Sequence, residues 1–199
     1  MKIVCLFPGI GYTCDNPLLY YSWKLFAALG WKVVPVPYGG FPSGVKGNAE
    51  KMKKCAEMAL EQAEDLLKDI DWSRYDSILF VSKSVGTVAA GAYAAKHHIS
   101  CRHVLFTPVE AAFSFGMKDE IVFHGTSDPW ADSTAIRKAC RDAGFPLYIT
   151  EKANHSLETG DIESDIDTIK TTMKIVREYA EQDRKGSGGV CPCIVSGKQ

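Results

Sequence analysis

The sequence predicts an α/β three-layer sandwich, a mostly parallel six-stranded sheet with helices on both faces. Two observations predict it. Short runs rich in Val, Ile, Leu and Phe recur along the chain, and most lack polar alternation, as strands covered on both faces do. Between them lie longer segments whose apolar residues return every three or four positions, the pattern of right-handed strand–helix–strand crossovers. With 199 residues, 46% of them hydrophobic and 24% charged, the chain fits one domain able to bury a core.

The strands are expected at Lys2–Phe7, Lys32–Val36, Ser77–Val81, His103–Thr107, Glu120–His124 and Leu147–Thr150. The opening run resembles a signal peptide, but its apolar stretch is short and Pro8-Gly9 breaks it, so a first strand is expected. The first helix has Asn16 as its cap, Pro17 as its first residue and Gly30 as its stop. A second runs from about Asn48 to Ile70, with Met52, Cys55, Ala59, Ala63, Leu66 and Ile70 on one buried face. A third follows Ser84, turning Val85, Val88, Ala89, Ala92 and Tyr93 inward. A fourth spans Asp132 to Ala143 and is closed by Gly144. The last is expected to bury Ile162, Ile166, Ile169, Met173, Val176 and Tyr179. Residues 1–183 form the domain, and 184–199 read as a Gly- and Ser-rich tail carrying Cys191-Pro192-Cys193, too few ligands for a zinc site.

A net charge of −1 with scattered Lys and Arg argues against a nucleic-acid or anionic-membrane footprint, and no apolar run has the length of a membrane span. Seven cysteines, several of them within strands or helices, suggest a reducing, cytoplasmic setting without a disulfide framework. The cluster from His97 to His103 falls at a helix end and a strand start, where cationic character is the plainer account than a metal. Pro8-Gly9-Ile10-Gly11 is neither a Walker A nor a full dinucleotide fingerprint, and the Asn154-His155-Ser156 sequon has no secretory signal with it. No metal or other cofactor is expected.

Three motifs carry chemistry. Strand Ser77–Val81 runs into Ser82-Lys83-Ser84-Val85-Gly86 and then a helix, the setting of a nucleophile elbow with Ser82 in place of the usual first glycine. Ser84 would stand at a helix N-terminus, where free N–H groups favour negative charge and the Val85 N–H can meet an oxyanion. His124-Gly125-Thr126-Ser127-Asp128-Pro129-Trp130 follows the fifth strand and offers Asp128 to orient a histidine, with His124 helping to set the turn. Ala153-Asn154-His155-Ser156-Leu157-Glu158 follows the sixth strand and offers His155 as general base for Ser84. All three lie at the same sheet edge.

On these motifs, with Phe7-Pro8-Gly9-Ile10-Gly11, residues 1–182 resemble a compact, lidless member of the α/β-hydrolase superfamily. The resemblance implies that the loop after the first strand supplies a second oxyanion donor, Ile10 first, then Gly11 N–H or the Tyr12 hydroxyl. It also implies that lids, where present, follow the strand at His103–Thr107. Only Pro108–Asp119 follows here, so an open, shallow site is expected, with Gly11, Tyr12, Tyr38, Phe113, Phe115 and Trp130 as its walls. The expected activity is cleavage of an ester or related acyl bond through an acyl-enzyme, with a small-molecule acyl substrate. A thioesterase or small peptidase using the same residues is the alternative, and a non-catalytic α/β binding scaffold is the alternative of another class.

Overall fold

The computed structural model describes residues 1–182, so the tail with Cys191-Pro192-Cys193 lies outside the described residues. The chain alternates as β1 (Lys2–Phe7), α1 (Pro17–Ala28), β2 (Lys32–Pro35), α2 (Ala49–Leu67), β3 (Ser77–Lys83) and α3 (Val85–Lys96). It continues through β4 (Arg102–Phe106), β5 (Glu120–Gly125), α4 (Ser133–Ala143), β6 (Leu147–Thr150) and α5 (Ile162–Glu181). The six strands form one sheet in the order β2-β1-β3-β4-β5-β6, and every pairing is parallel. Between β4 and β5 lies only a short 3-10 turn, Glu110–Phe115, and no lid.

The order reverses at β1. The chain steps one way from β1 to β2 and the other way from β3 onward, so right-handed crossovers put α1 on one face and α2 and α3 on the other. Side-chain alternation serves both layers. Val4, Leu6, Leu79 and Val81 pack with Leu18, Phe26, Val176 and Tyr179 of α1 and α5. Ile3, Cys5, Ile78 and Phe80 pack with Ala59, Ala63, Ala89 and Tyr93 of α2 and α3. The small residues on α2 and α3 let two helices lie close together over the sheet.

Local punctuation falls where residue chemistry demands. Asn48, Asp132 and Asp161 accept the N–H of Lys51, Ala135 and Ser164 and so cap α2, α4 and α5. Asn16 precedes α1 but turns its side chain back to the Thr13 N–H, and Pro17, which lacks that donor, opens the helix.

Several expectations need correction. β3 runs two residues further than expected, because Ser82 pairs with Phe7 and Lys83 with Phe106. β4 is shifted one residue earlier, with Arg102 opposite Leu79, and β5 extends to Gly125. α2 ends at Leu67, and Leu66 is exposed while Leu67 takes the buried place. On α5, Ile162 and Ile166 are exposed at 71% and 62%. The first turns of α5 border a groove beside α1 rather than the sheet, and only from Thr172 onward does the helix bury side chains.

The end of α5 is held by a buried cation. Arg102 donates from Nη1 to the carbonyls of Tyr179 at 2.7 Å and Gln182 at 3.2 Å, and from Nη2 to that of Ala180 at 3.1 Å. These are helix-terminal carbonyls, which have no partner within the helix and carry partial negative charge. Replacement of Arg102 by Met is expected to lower stability by about 2–3 kcal/mol, the range for charge-assisted hydrogen bonds. Urea denaturation checks this, and hydrogen exchange of the last turn of α5 localises the effect.

Candidate active site

The sheet edge where β1 and β3 end is the switch point of the topology, the place where helices on opposite faces diverge and leave a crevice. Ser84 stands there between β3 and α3 with φ 55° and ψ −124°, a conformation that costs a non-glycine residue energy. Neighbouring contacts hold it. Its N–H donates to Phe106 O at 3.1 Å, and its carbonyl accepts from Thr87 N–H at 2.9 Å and Thr87 Oγ1 at 2.6 Å. Gly86 is required by close approach: a Cβ there would collide with the carbonyl oxygens of Phe7 and Pro8 and stand 2.7 Å from the Tyr38 hydroxyl. Ser82 does not need to be glycine. It stays in extended strand backbone, fully buried, and its hydroxyl donates to Val104 O at 3.3 Å.

His155 comes from the loop after β6. Asn154 shapes that loop, its Oδ1 accepting the N–H of Ser156 at 2.7 Å and of Glu158 at 3.2 Å. Leu157 anchors it in the core at φ 61°. Thr107, at the end of β4, donates to the His155 carbonyl at 2.8 Å. Asp128 comes from the turn after β5, which is tied to the histidine loop by the Ser127 N–H on Ala153 O at 2.9 Å.

The structure brings Ser84, His155 and Asp128 together. His155 Nε2 lies 2.8 Å from Ser84 Oγ, and Nδ1 lies 2.7 Å from Asp128 Oδ2. An ionised carboxylate only accepts, so Nδ1 carries the proton and Nε2 is left to accept from the serine hydroxyl. Burial opposes the charge on Asp128. The His155 hydrogen bond and proximity, the Trp130 N–H at 2.8 Å and nearby His124 outweigh it and hold the carboxyl below its usual range. Burial likewise pushes His155 down, helped by the charge of Lys83, against the upward pull of Asp128. The imidazole is therefore neutral, and able to act as a base, to a lower pH than a free histidine.

His124 sits behind this pair. Its Nε2 lies 2.7 Å from Ser133 Oγ at the start of α4, and its Nδ1 lies 3.9 Å from Asp128 Oδ2. Trp130 stacks on the His155 ring, with centroids 5.5 Å apart and planes at 28°. Val85 N–H opens α3 and Ile10 N–H sits in the Gly9–Tyr12 turn; among the described residues neither has an intramolecular acceptor. Both side chains join one apolar cluster with Val45, Met52, Cys55 and Trp130, formed by the β2–α2 segment and α2.

The other expected wall residues divide. Trp130 lies against the His155 ring and Gly11 lies within the Gly9–Tyr12 turn. The Tyr12 hydroxyl accepts the Leu18 N–H at 3.0 Å, which ties its ring to the start of α1. Tyr38 donates to Pro8 O at 2.6 Å and props the β1 turn from behind. Phe113 packs on the Leu105 and Ile136 cluster, and Phe115 lies against Gly91 of α3. His97 approaches Glu64 at 3.5 Å, and burial pushes His103 down to about 3, leaving it neutral. Among the described residues no group of three or more His, Cys, Asp or Glu side chains is arranged to hold a metal.

No protein-family model matches the sequence, and neither does any curated protein. Solved structures do match the fold. An α/β serine hydrolase without a lid from Xanthomonas campestris is 13% identical, with 92% of this chain and 84% of that one covered and a TM-score of 0.59. An α/β serine hydrolase homologue from Coxiella burnetii is 15% identical over 88% of this chain and 85% of that one, with a TM-score of 0.63. A Pyrococcus furiosus esterase is 13% identical over 89% and 81%, with a TM-score of 0.62. The chain therefore has the α/β-hydrolase fold in a lidless form.

Gly125 is the spacer between the Asp128 turn and the His155 loop. A Cβ there would collide with the Ala153 carbonyl and lie 2.7 Å from that of Asn154. Gly125→Ala is expected to push the His155 loop away from Asp128 and to cost about 1–3 kcal/mol, as overpacking does. The far-downfield proton NMR signal of His155 Nδ1–H should weaken or vanish in the variant, and its persistence at full intensity would contradict this geometry.

Proposed function

We propose that the protein is a serine hydrolase that cleaves an ester or related acyl bond, acting as a small-acyl carboxylesterase. The observation that carries the reading is the continuous hydrogen-bonded line from Ser84 Oγ through His155 to Asp128. A strained serine at a helix N-terminus supports it, as does the hydrolase and esterase character of the structural neighbours.

In this reading Ser84 Oγ attacks the acyl carbon as its proton passes to His155 Nε2. Charge gathers on the carbonyl oxygen, where the Val85 and Ile10 N–H groups meet it. Collapse breaks the bond to the leaving group, which takes the proton from His155. Water then attacks the acyl-Ser84 carbonyl, gives its proton to His155, and releases the acid with Ser84 restored. Asp128 keeps the imidazole in the required tautomer throughout. The apolar side chains beside Val85 and Ile10, with no lid above them, favour a short uncharged acyl group. The same proposal assigns the chain to the reducing cytoplasm, supported by Cys5, Cys14, Cys55 and Cys140 as free thiols. Among the described residues no helix is long and apolar enough to cross a membrane.

A fluorophosphonate probe is expected to label the folded protein, and Ser84→Ala is expected to abolish labelling. Labelling that survives Ser84→Ala, or none on folded wild type, sinks the proposal. A panel of short and long acyl esters and thioesters is expected to favour short esters; a thioester preference would move the protein to the thioesterase class. The pH profile follows from His155. Its neutral form is the base, and its pKa is held down, so kcat/KM should fall only as pH drops through a value below the ordinary histidine value of about 6.5.

A further inference from the structure

Lys83 directly precedes Ser84 and is among the largest fully buried side chains, at 1% exposure. Alternation along β3 sends Leu79, Val81 and Lys83 to the face covered by α1 and α5, so an ammonium stands where a third aliphatic residue would continue the stripe. Burying a cation is costly unless something compensates. Among the described residues no carboxylate lies within ion-pair distance of it.

What Lys83 meets is the β1 turn. Its Nζ lies 4.9 Å from the centre of the Tyr12 ring, and its Cγ lies 3.5 Å from where a Cβ on Gly9 would be. Gly9 and Tyr12 are the two ends of the turn that carries Ile10, closed by Gly9 N–H on Tyr12 O at 2.9 Å and Tyr12 N–H on Gly9 O at 3.4 Å. One side chain on the serine strand thus touches both ends of that turn. A desolvated cation over an aromatic face is among the stronger forms of this contact.

We propose that Lys83 is a positioning residue: its buried cation clamps the Gly9–Tyr12 turn through the Tyr12 ring, fixing the Ile10 N–H relative to Ser84, and its charge acts on His155. This rests on the hydrolase reading above. Lys83 faces Tyr12 of the β1 turn, and the charges that act on it through space are those of Asp128 from the turn after β5 and Glu158 from the loop after β6, while its own charge acts on His155 of that loop. Burial pushes the amine down to about 7, against the pull of Asp128 and Glu158. Lys83 is therefore still charged at the lower pH where His155 titrates, and the two cations oppose each other.

Lys83→Met keeps the stem and removes the charge. Below about pH 7, where the amine is charged, it is expected to lower kcat about tenfold with KM changed by no more than about twofold, the pattern of a lost transition-state contact, and the deficit should shrink as pH rises through about 7. Tyr12→Leu should give a similar loss, the double variant no more than the poorer single one, and Tyr12→Phe, which keeps the ring, should recover most of it. The His155 titration followed by NMR should move to higher pH in Lys83→Met, since a cation that opposed protonation is gone. A lysine that merely fills space would leave that titration in place. Stability gives an independent reading. An unfolded lysine titrates near about 10.4, so between about 7 and that value the unfolded chain binds more protons and wild-type stability rises with pH. That rise should be smaller in Lys83→Met by circular dichroism in urea. Additive losses in kcat, or an unmoved His155 titration, overturn the proposal while wild-type labelling by the fluorophosphonate probe leaves the hydrolase reading standing. Absent labelling overturns that reading, and the NMR and stability arms still decide on Lys83.

Discussion

The site depends on how closely two chain segments approach at the switch point. The first turn of α3 lies against the carbonyls of Phe7 and Pro8 at the end of β1, and only a residue without a side chain fits at position 86. That contact sets the distance between the β1 turn and Ser84. It keeps Ile10 and Val85 in one apolar cluster and leaves Ser84 in a strained backbone conformation that the Phe106 and Thr87 hydrogen bonds maintain. The remaining parts of the site hang on parallel strands whose register is fixed by their buried side chains, so the turns after β5 and β6 arrive at the same edge.

Charge is distributed unevenly through the interior. At the C-terminal edge, Asp128 is ionised and hydrogen-bonded, His124 and His155 are neutral, and Lys83 rests on an aromatic ring. At the opposite edge, Arg102 is fully engaged by carbonyls of α5, whereas buried Glu120 has no hydrogen-bond partner among the described residues and is pushed up to about 8 by burial and by Asp119. A carboxyl that stays protonated at neutral pH avoids most of the cost of burial. The two ends thus solve the same problem differently: one hydrogen-bonds its carboxylate to a neutral imidazole and rests its cation on a ring, the other neutralises a carboxyl and uses its cation to cap a helix.

Much of this was legible in the residues themselves. Pro17, Gly30 and Gly144 mark helix limits through backbone restrictions that act locally, and apolar runs mark the strands because both faces of a parallel sheet are covered. Ser84, Asp128 and His155 could be picked out because each follows its own strand. What sequence could not reveal depends on partners distant along the chain. Ile162 and Ile166 have a buried helix's spacing, but the start of α5 overhangs the sheet. The burial of Lys83 appears only once β3 is seen to run on to it as a central strand. Thr107 carries no motif, and its role appears only when β4 and the His155 loop are side by side. The cluster around Met52 and Val45 likewise forms only once α2 is laid over the switch point.

The position of β6 has a consequence for how such a site fails. His155 follows an edge strand of four residues with a single neighbour, whereas Ser84 follows a strand flanked on both sides. Edge elements open at lower free energy than central ones. Reversible fraying of that one strand would carry His155 away while leaving Ser84 and its turn intact. Under mild denaturant the proposed activity would then be lost while most of the sheet persisted, and would return as soon as the edge closed again.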